Sequence, residues 1–273
     1  MSRLLSRVRL DSMSIVFIVL GILMLLFILA PLVKTATSSS LGILWDTLLD
    51  PEVYSSILLT ICAALIATAV GLLLGIPLSY LLARHDFRGK RFLEGLIDVP
   101  IVIPHSAAGI ALLFVFGRQF FMGKLFGSIG ITFVDALAGV VIAMMFVSVP
   151  FLIDSARDGF KAVDVRLEKV ARTLGASPWR VFFRVSLPLA WRSIFSGSVM
   201  MWARGVSEFG AVLILAYHVP FMGEHPVVAP ILVADRFNQF GLDYARPVAV
   251  LVILISLVTF VTLRMLALKG KKS

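Results

Sequence analysis

The sequence predicts an all-α membrane protein with six transmembrane helices. Of its 273 residues, 59% are hydrophobic and 15% are charged, whereas soluble domains carry about 45–50% apolar and about 25% charged residues. The mean hydropathy is +1.00. A soluble protein of this composition would expose large apolar patches, so an ordinary cytosolic enzyme and a disordered protein are both excluded. Two further observations support the prediction: apolar stretches of membrane-spanning length, and an uneven distribution of basic residues between them.

Six stretches are long enough, or nearly long enough, for a helix to cross the bilayer. They run from Met13 to Val33, from Val53 to Ala83, between Asp98 and Arg118, between Asp135 and Asp154, from about Leu189 to Ala216, and between Arg246 and Arg264. The first is too long for the core of a signal peptide and has no small-residue cleavage site, so we expect it to be retained. Pro100 and Pro104 break the third. Runs of this length without alternation exclude barrel strands.

The basic residues orient these spans. With a cytoplasmic N-terminus, 19 Lys and Arg residues fall on inner segments and five on outer segments. This bias follows the positive-inside rule and explains the formal charge of +9 without nucleic-acid binding. We therefore predict a cytoplasmic tail over 1–12, a single six-helix domain over 13–268 and a cytoplasmic tail over 269–273. The protein is expected in the cytoplasmic membrane, with both termini inside.

The residues predict no catalytic or metal site. A P-loop requires four residues between its glycines and a Ser or Thr after its Lys. Five residues separate Gly117 from Gly123-Lys124, and Leu125 follows. The single cysteine, Cys62, and the scattered histidines form no metal-binding pattern. We expect no cofactor and no enzymatic activity in this chain.

The cytoplasmic segment at about 157–188 is longer than a connection between two spans requires. Asp164 is a candidate N-cap, Gly175 is placed to end a helix, and Ser177-Pro178 is placed to begin another, which would end near Pro188. The segment thus predicts a basic, amphipathic helix–turn–helix. It could lie on anionic lipid, or it could dock onto a cytoplasmic partner.

This segment resembles the EAA loop of ABC importer permeases, which has Glu-Ala-Ala, three residues, Gly, nine residues and Ile-x-Leu-Pro. Here Lys169, Val170 and Val185 replace the Glu, the first Ala and the Ile, while Glu168 supplies an acid one residue early. The resemblance implies a coupling helix that inserts into an ATP-binding subunit. The residues that it implicates are Glu168, Lys169, Val170, Ala171, Gly175, Val185, Leu187 and Pro188.

A second resemblance concerns the cargo. The run from Ala203 to Val212 is similar to the fifth-span signature of permeases for molybdate, tungstate and sulfate. The segments Asp98–Gly109, Ser148–Pro150, Arg166–Pro178 and Tyr244–Ala249 resemble archaeal-type tungstate/molybdate permeases. These resemblances imply the type I ABC importer permease architecture and a tungstate/molybdate importer. They also imply a second copy of the chain, two ATP-binding subunits that bind ATP and Mg²⁺, and an external oxyanion-binding protein.

Two alternatives to this function remain open. The same machine could carry sulfate or another oxyanion, because these anions are all tetrahedral dianions. A secondary transporter or channel with a helical loop would instead work without ATP.

Candidate pathway residues lie in the third and fifth spans. Arg204 and Glu208 are the one acid–base pair inside a predicted span, and their spacing of four would place them on one helix face. They could be a buried pair that faces the bundle or a second copy, or they could lie beside the pathway as a weak attractor for a dianion. In the third span the prolines could form a packing kink or a gate. The candidates are Arg204, Ser207, Glu208, Pro100, Pro104 and His105.

Overall fold

A computed structural model describes residues 11–269, with side chains as far as residue 265. The helices are α1 (Ser12–Ala36), α2 (Leu41–Leu49), α3 (Pro51–Arg84), α4 (Lys90–Val102), α5 (His105–Phe116), α6 (Phe121–Gly127), α7 (Leu137–Ala162), α8 (Val165–Thr173), α9 (Pro178–Val181), α10 (Leu187–Val206), α11 (Gly210–Leu215), α12 (Ala229–Phe240) and α13 (Leu242–Lys269). A π-helical turn, Phe182–Ser186, joins α9 to α10. The predicted tails lie outside the described residues except at their inner ends.

The described chain contains four helices, α1, α3, α7 and α13, that are long and apolar enough to cross a membrane. Helices α4 and α5 would form a fifth span together, although they are bent by 114°. The prediction of an all-α membrane protein is confirmed. The count of six spans stays a prediction, because α10 is not among the helices that meet this criterion.

Two predicted spans are interrupted, and their boundaries are corrected here. Helix α4 continues through Pro100, and the third span breaks at Pro104, which has no N–H and forces the preceding Ile103 into an extended conformation. The fifth span, predicted as one stretch to Ala216, divides into α10 and α11. The residues between these helices, 207–209, leave the helical path in the middle of the apolar run.

The core lies where α3, α7 and α10 pack against one another. Leu59 of α3, Met144 of α7 and Trp202 of α10 are buried there. Close approach of α7 and α10 depends on Gly197, because a Cβ at that position would lie 2.7 Å from the Cβ of Ser155. Helix α1, by contrast, has no buried residue within the chain. The three packed helices therefore provide the frame that carries the candidate coupling residues and the candidate pathway residues of the fifth span.

Candidate functional site

The loop at about 157–188 forms the predicted pair of helices, and local side chains begin both of them. The Asp164 carboxylate accepts a hydrogen bond from the Arg166 N–H at 2.8 Å at the start of α8. The Ser177 hydroxyl accepts one from the Arg180 N–H at 3.3 Å at the start of α9. Each cap satisfies an N–H that has no partner within its helix.

Gly175 ends the first helix, as the sequence predicts. Its φ of +85° lies in the left-handed region that favours glycine. The Gly175 N–H donates to the Arg172 carbonyl at 3.0 Å, and the Ala176 N–H donates to the Ala171 carbonyl at 3.1 Å. These two bonds form a Schellman motif, which fixes the direction in which the chain enters α9.

The second helix does not end near Pro188, contrary to the sequence prediction. The chain stays helical from Pro178 to Val206 through the π-helical turn, in which the Leu187 N–H donates to the Phe182 carbonyl. Proline lacks an N–H and clashes with the carbonyl four residues earlier, which here belongs to Arg184. The wider π turn accommodates the proline without ending the helix. The loop is therefore continuous with α10.

Glu168 points into the protein and ties α8 to α3 and to the π turn. Its carboxylate accepts hydrogen bonds from Arg84 Nε at 2.9 Å, from Arg84 Nη2 at 2.7 Å and from the Ser186 hydroxyl at 2.7 Å. The Tyr80 hydroxyl lies 3.4 Å away, and Arg84 Nη2 also donates to the Val163 carbonyl at 3.1 Å. The side chains of Arg84 and Glu168 are only 8% and 12% exposed. The predicted contact between Glu168 and a partner stays a prediction, and the structure shows an internal anchor.

Sequence reasoning missed the partners of Glu168. Arg84 and Glu168 are 84 positions apart, and Tyr80 is 88 positions from Glu168. The one available signal was a basic residue at the end of a long apolar stretch, and this is equally typical of an interfacial arginine.

The outer side of the loop exposes apolar side chains among basic residues. Leu174 is 82% exposed and Trp179 is 72% exposed. The Trp179 ring stacks on that of Phe183, with centroids 6.0 Å apart. We call this the loop surface; it comprises Lys169, Val170, Arg172, Leu174, Trp179, Arg180, Phe183 and Arg184. Of the other predicted coupling residues, Ala171, Val185 and Leu187 are half-buried and Pro188 is exposed.

The two helix breaks lie side by side and form a second candidate site. A Cβ on Gly210, the first residue of α11, would lie 2.8 Å from the Cβ of His105, the first residue of α5. A Cβ on Gly109 would lie 2.9 Å from the Ala211 carbonyl oxygen. Helices α5 and α11 can therefore pack this closely only with glycine at these positions.

Arg204, His105 and Glu208 meet at this junction. Arg204 Nη2 lies 3.0 Å from Glu208 Oε2 and 2.7 Å from His105 Nε2, and His105 Nδ1 lies 3.5 Å from Glu208 Oε2. Arg204 Nη1 donates to the Ser207 hydroxyl at 3.3 Å. The Glu208 side chain is 1% exposed, and its Oε1 accepts from the Ala211 N–H at 2.8 Å.

Arg204 and Glu208 are in contact, but they do not lie on one continuous helix face as the sequence predicts. Helix α10 ends at Val206, and Glu208 lies in the break between α10 and α11. The structure adds His105 to the pair, whereas Pro100 lies buried inside α4 and Pro104 forms the N-cap of α5. Among the described residues, no group of His, Cys, Asp and Glu could hold a metal ion.

Comparisons with known proteins agree with this architecture. Residues 75–271 match the family described as "Binding-protein-dependent transport system inner membrane component". The chain is 45% identical over 263 residues to the "Molybdate/tungstate transport system permease protein" of Pyrococcus abyssi, covering 96% of this chain and 98% of that one. It is 33% identical to the "Probable sulfate transport system permease protein" of Chlorokybus atmophyticus, covering 86% of this chain and 81% of that one.

Among solved structures, a chain of the bacterial alginate ABC transporter, crystallised in complex with an alginate pentasaccharide-bound periplasmic protein, superposes with a TM-score of 0.72 at 14% identity. The match covers 96% of this chain and 95% of that one. This likeness concerns the fold, and it confirms the predicted type I ABC importer permease architecture. The chain belongs to the family of inner-membrane components of binding-protein-dependent transport systems, and is a translocation subunit rather than an enzyme.

Proposed function

We propose that this chain is the permease subunit of an ATP-driven, binding-protein-dependent importer that carries tungstate or molybdate across the cytoplasmic membrane. The observation that carries the proposal is 45% identity to a molybdate/tungstate permease over 96% of the chain. This similarity extends across both the cytoplasmic loop and the two broken spans.

The proposed assembly contains two copies of this chain, two ATP-binding subunits and an external oxyanion-binding protein. ATP and Mg²⁺ bind to the ATP-binding subunits. The 19-to-5 distribution of basic residues supports cytoplasmic termini and a cytoplasmic loop. The two-copy arrangement rests on the resemblance to importer permeases.

The loop surface is the proposed docking element for the ATP-binding subunit. It combines exposed apolar anchors, Leu174 and Trp179, with neighbouring arginines, and Trp and Arg are enriched in protein interfaces. Its rigid connection through the π turn to α10 gives a docked partner a direct mechanical link to the membrane-spanning part. A flexible loop would unfold locally under load and would not transmit the movement of the partner to α10.

Uptake by proteoliposomes tests the proposal. The vesicles contain this chain with its co-purified ATP-binding subunit, and they receive the binding protein and labelled tungstate outside, with or without ATP inside. ATP-dependent uptake that excess molybdate blocks is the expected result. Uptake without ATP would refute the importer and favour a secondary transporter or channel.

Sulfate is the second candidate cargo, and the 33% identity to a probable sulfate permease favours it. In the same vesicles, uptake that sulfate blocks and molybdate does not block would keep the machine and change the cargo. Tungstate and molybdate have the same charge and tetrahedral shape, so we propose both.

A further inference from the structure

We propose that the Arg204 guanidinium, at its junction with His105 and Ser207, forms a transient binding site for a tetrahedral oxyanion within the membrane, and that Glu208 keeps its affinity low. The inference rests on the proposed function and adds a site and a means of weakening anion binding to it. It follows from the meeting of the two helix breaks, which no single segment of the sequence reveals.

Glu208 is fixed in place, whereas its partners are accessible. The Glu208 side chain is 1% exposed, and the Ala211 N–H holds its second oxygen at 2.8 Å. The Arg204 side chain is 22% exposed and that of His105 is 42% exposed. An anion can therefore approach the guanidinium and the imidazole but cannot displace the buried carboxylate.

The guanidinium retains donors for an incoming anion. Arginine has five N–H groups. Nη2 lies at hydrogen-bonding distance from Glu208 and His105, and Nη1 contacts Ser207. Among the described residues, Nε–H and one Nη1–H have no partner. A guanidinium recognises oxyanions well because its donors are held in one fixed plane, and these two remain directed away from Nη2. The Ser207 hydroxyl donates its hydrogen to the Arg204 carbonyl at 3.0 Å, and both ring nitrogens of His105 face Arg204 or Glu208, so the donors left for an anion are those of Arg204.

The charge balance explains why such a site can pass an anion rather than trap it. Arg204 and Glu208 together carry no net charge, so a dianion gains hydrogen bonds without a full electrostatic attraction. Conduction requires binding that is strong enough for entry and weak enough for exit. Broken helices at mid-membrane are the usual place for such sites in transporters.

Glu208→Gln tests this balance because it removes the negative charge and retains the size of the side chain. In the complete complex, we expect labelled tungstate to be retained at equilibrium at least about tenfold more than by the wild-type complex. The reason is that the Arg204 charge is no longer neutralised by the carboxylate that lies 3.0 Å from it. ATP-dependent uptake should fall, because the anion leaves slowly. Retention is measured in nanodiscs without the binding protein.

Arg204→Gln and the double variant Arg204→Gln/Glu208→Gln complete the test. Arg204→Gln leaves a negative site and should lower uptake without retention. The double variant is neutral, and we expect more uptake from it than from either single variant. Glu168→Gln is the control. It also leaves an arginine, Arg84, without its carboxylate, but this arginine lies at the loop, so we expect this variant to retain no tungstate.

Three results would overturn the inference. They are no retention by an assembled Glu208→Gln complex, unchanged uptake in both single variants, or additive losses in the double variant. If Glu208→Gln does not assemble, the comparison of Arg204→Gln with the double variant still decides. Failure of the wild-type complex to take up tungstate would instead refute the proposed function.

Discussion

Replacement of Glu168 by Gln should loosen the attachment of α8 to the membrane domain. Gln keeps the size and one carbonyl oxygen, but it leaves the Arg84 guanidinium buried without its negative partner. Loss of one member of a buried ion pair costs about 3–5 kcal/mol. Because Arg84 keeps its bond to the Val163 carbonyl, we expect a value of roughly 3 kcal/mol, at the lower end of this range.

Trypsin measures this loosening, because its cleavage sites in α8 become accessible when the helix detaches. A cost of roughly 3 kcal/mol raises the detached fraction, and with it the cleavage rate, by about 100-fold when opening is fast. The same variant should hydrolyse more ATP for each anion taken up, because a docked partner then moves a poorly anchored helix.

A double-mutant cycle supplies the refutation. Arg84→Met combined with Glu168→Gln removes both charges, so the combined cost should be well below the sum of the two single costs. Costs that add within about 0.5 kcal/mol would show that the pair contributes no coupling. Asp86→Asn is the matched control, because the Asp86 carboxylate pairs with Lys90 at 2.8 Å but is 98% exposed. We expect it to leave the cleavage rate unchanged.

Three further predictions concern single positions. Gly175→Val should uncouple ATP hydrolysis from uptake, because a β-branched residue is strained at a φ of +85°, whereas Gly175→Asn should retain coupling in the same vesicles. Gly210→Ala should push α5 away from α11, because the new Cβ would lie 2.8 Å from the Cβ of His105. We expect thermal unfolding to show a loss of stability of roughly 1–3 kcal/mol. Gly127→Ala is the control, because a Cβ at that position meets nothing within 4 Å. The hydrogen bond to Asp235 raises the pKa of Tyr217 to about 12. This bond should contribute fully below pH ~10, the unfolded pKa of tyrosine, and lose its contribution as the pH rises through about 12. Tyr217→Phe should abolish that loss in melting curves, and an unchanged pH profile would contradict the assignment.

Features set by neighbouring residues were predictable from the sequence. The caps at Asp164 and Ser177 depend on side chains within three positions of the N–H groups that they serve, and the turn at Gly175 depends on backbone bonds between residues at most five positions apart. The apolar runs for α1, α3, α7 and α13 were equally clear, because the membrane requires them to be long and uncharged.

The wider turn before Pro188 was not predictable, although it is local. Pro188 is a helix breaker by local rules, yet α10 continues past it because the π turn makes room for the proline. Features that depend on distant partners were not predictable either. The spacing of Arg204 and Glu208 suggested a continuous helix, and the break between them became visible only with α5 packed against α11. His105 joins them from 99 positions away.

The two sites share one helical path, and this constrains how they can work together. The path from Pro178 to Val206 spans 29 residues, or about 44 Å. Trp179 lies within its first turn, and Arg204 lies within its last turn. A rigid helix moves as a unit, so a displacement of the loop surface shifts Arg204 unless the π turn absorbs it. Glu208 lies beyond the end of α10, where its N–H donates to the Gly205 carbonyl of α10 and its carboxylate accepts from the Ala211 N–H of α11. A displacement along this path would therefore reach the Arg204–Glu208 pair directly, and with it the anion site proposed there.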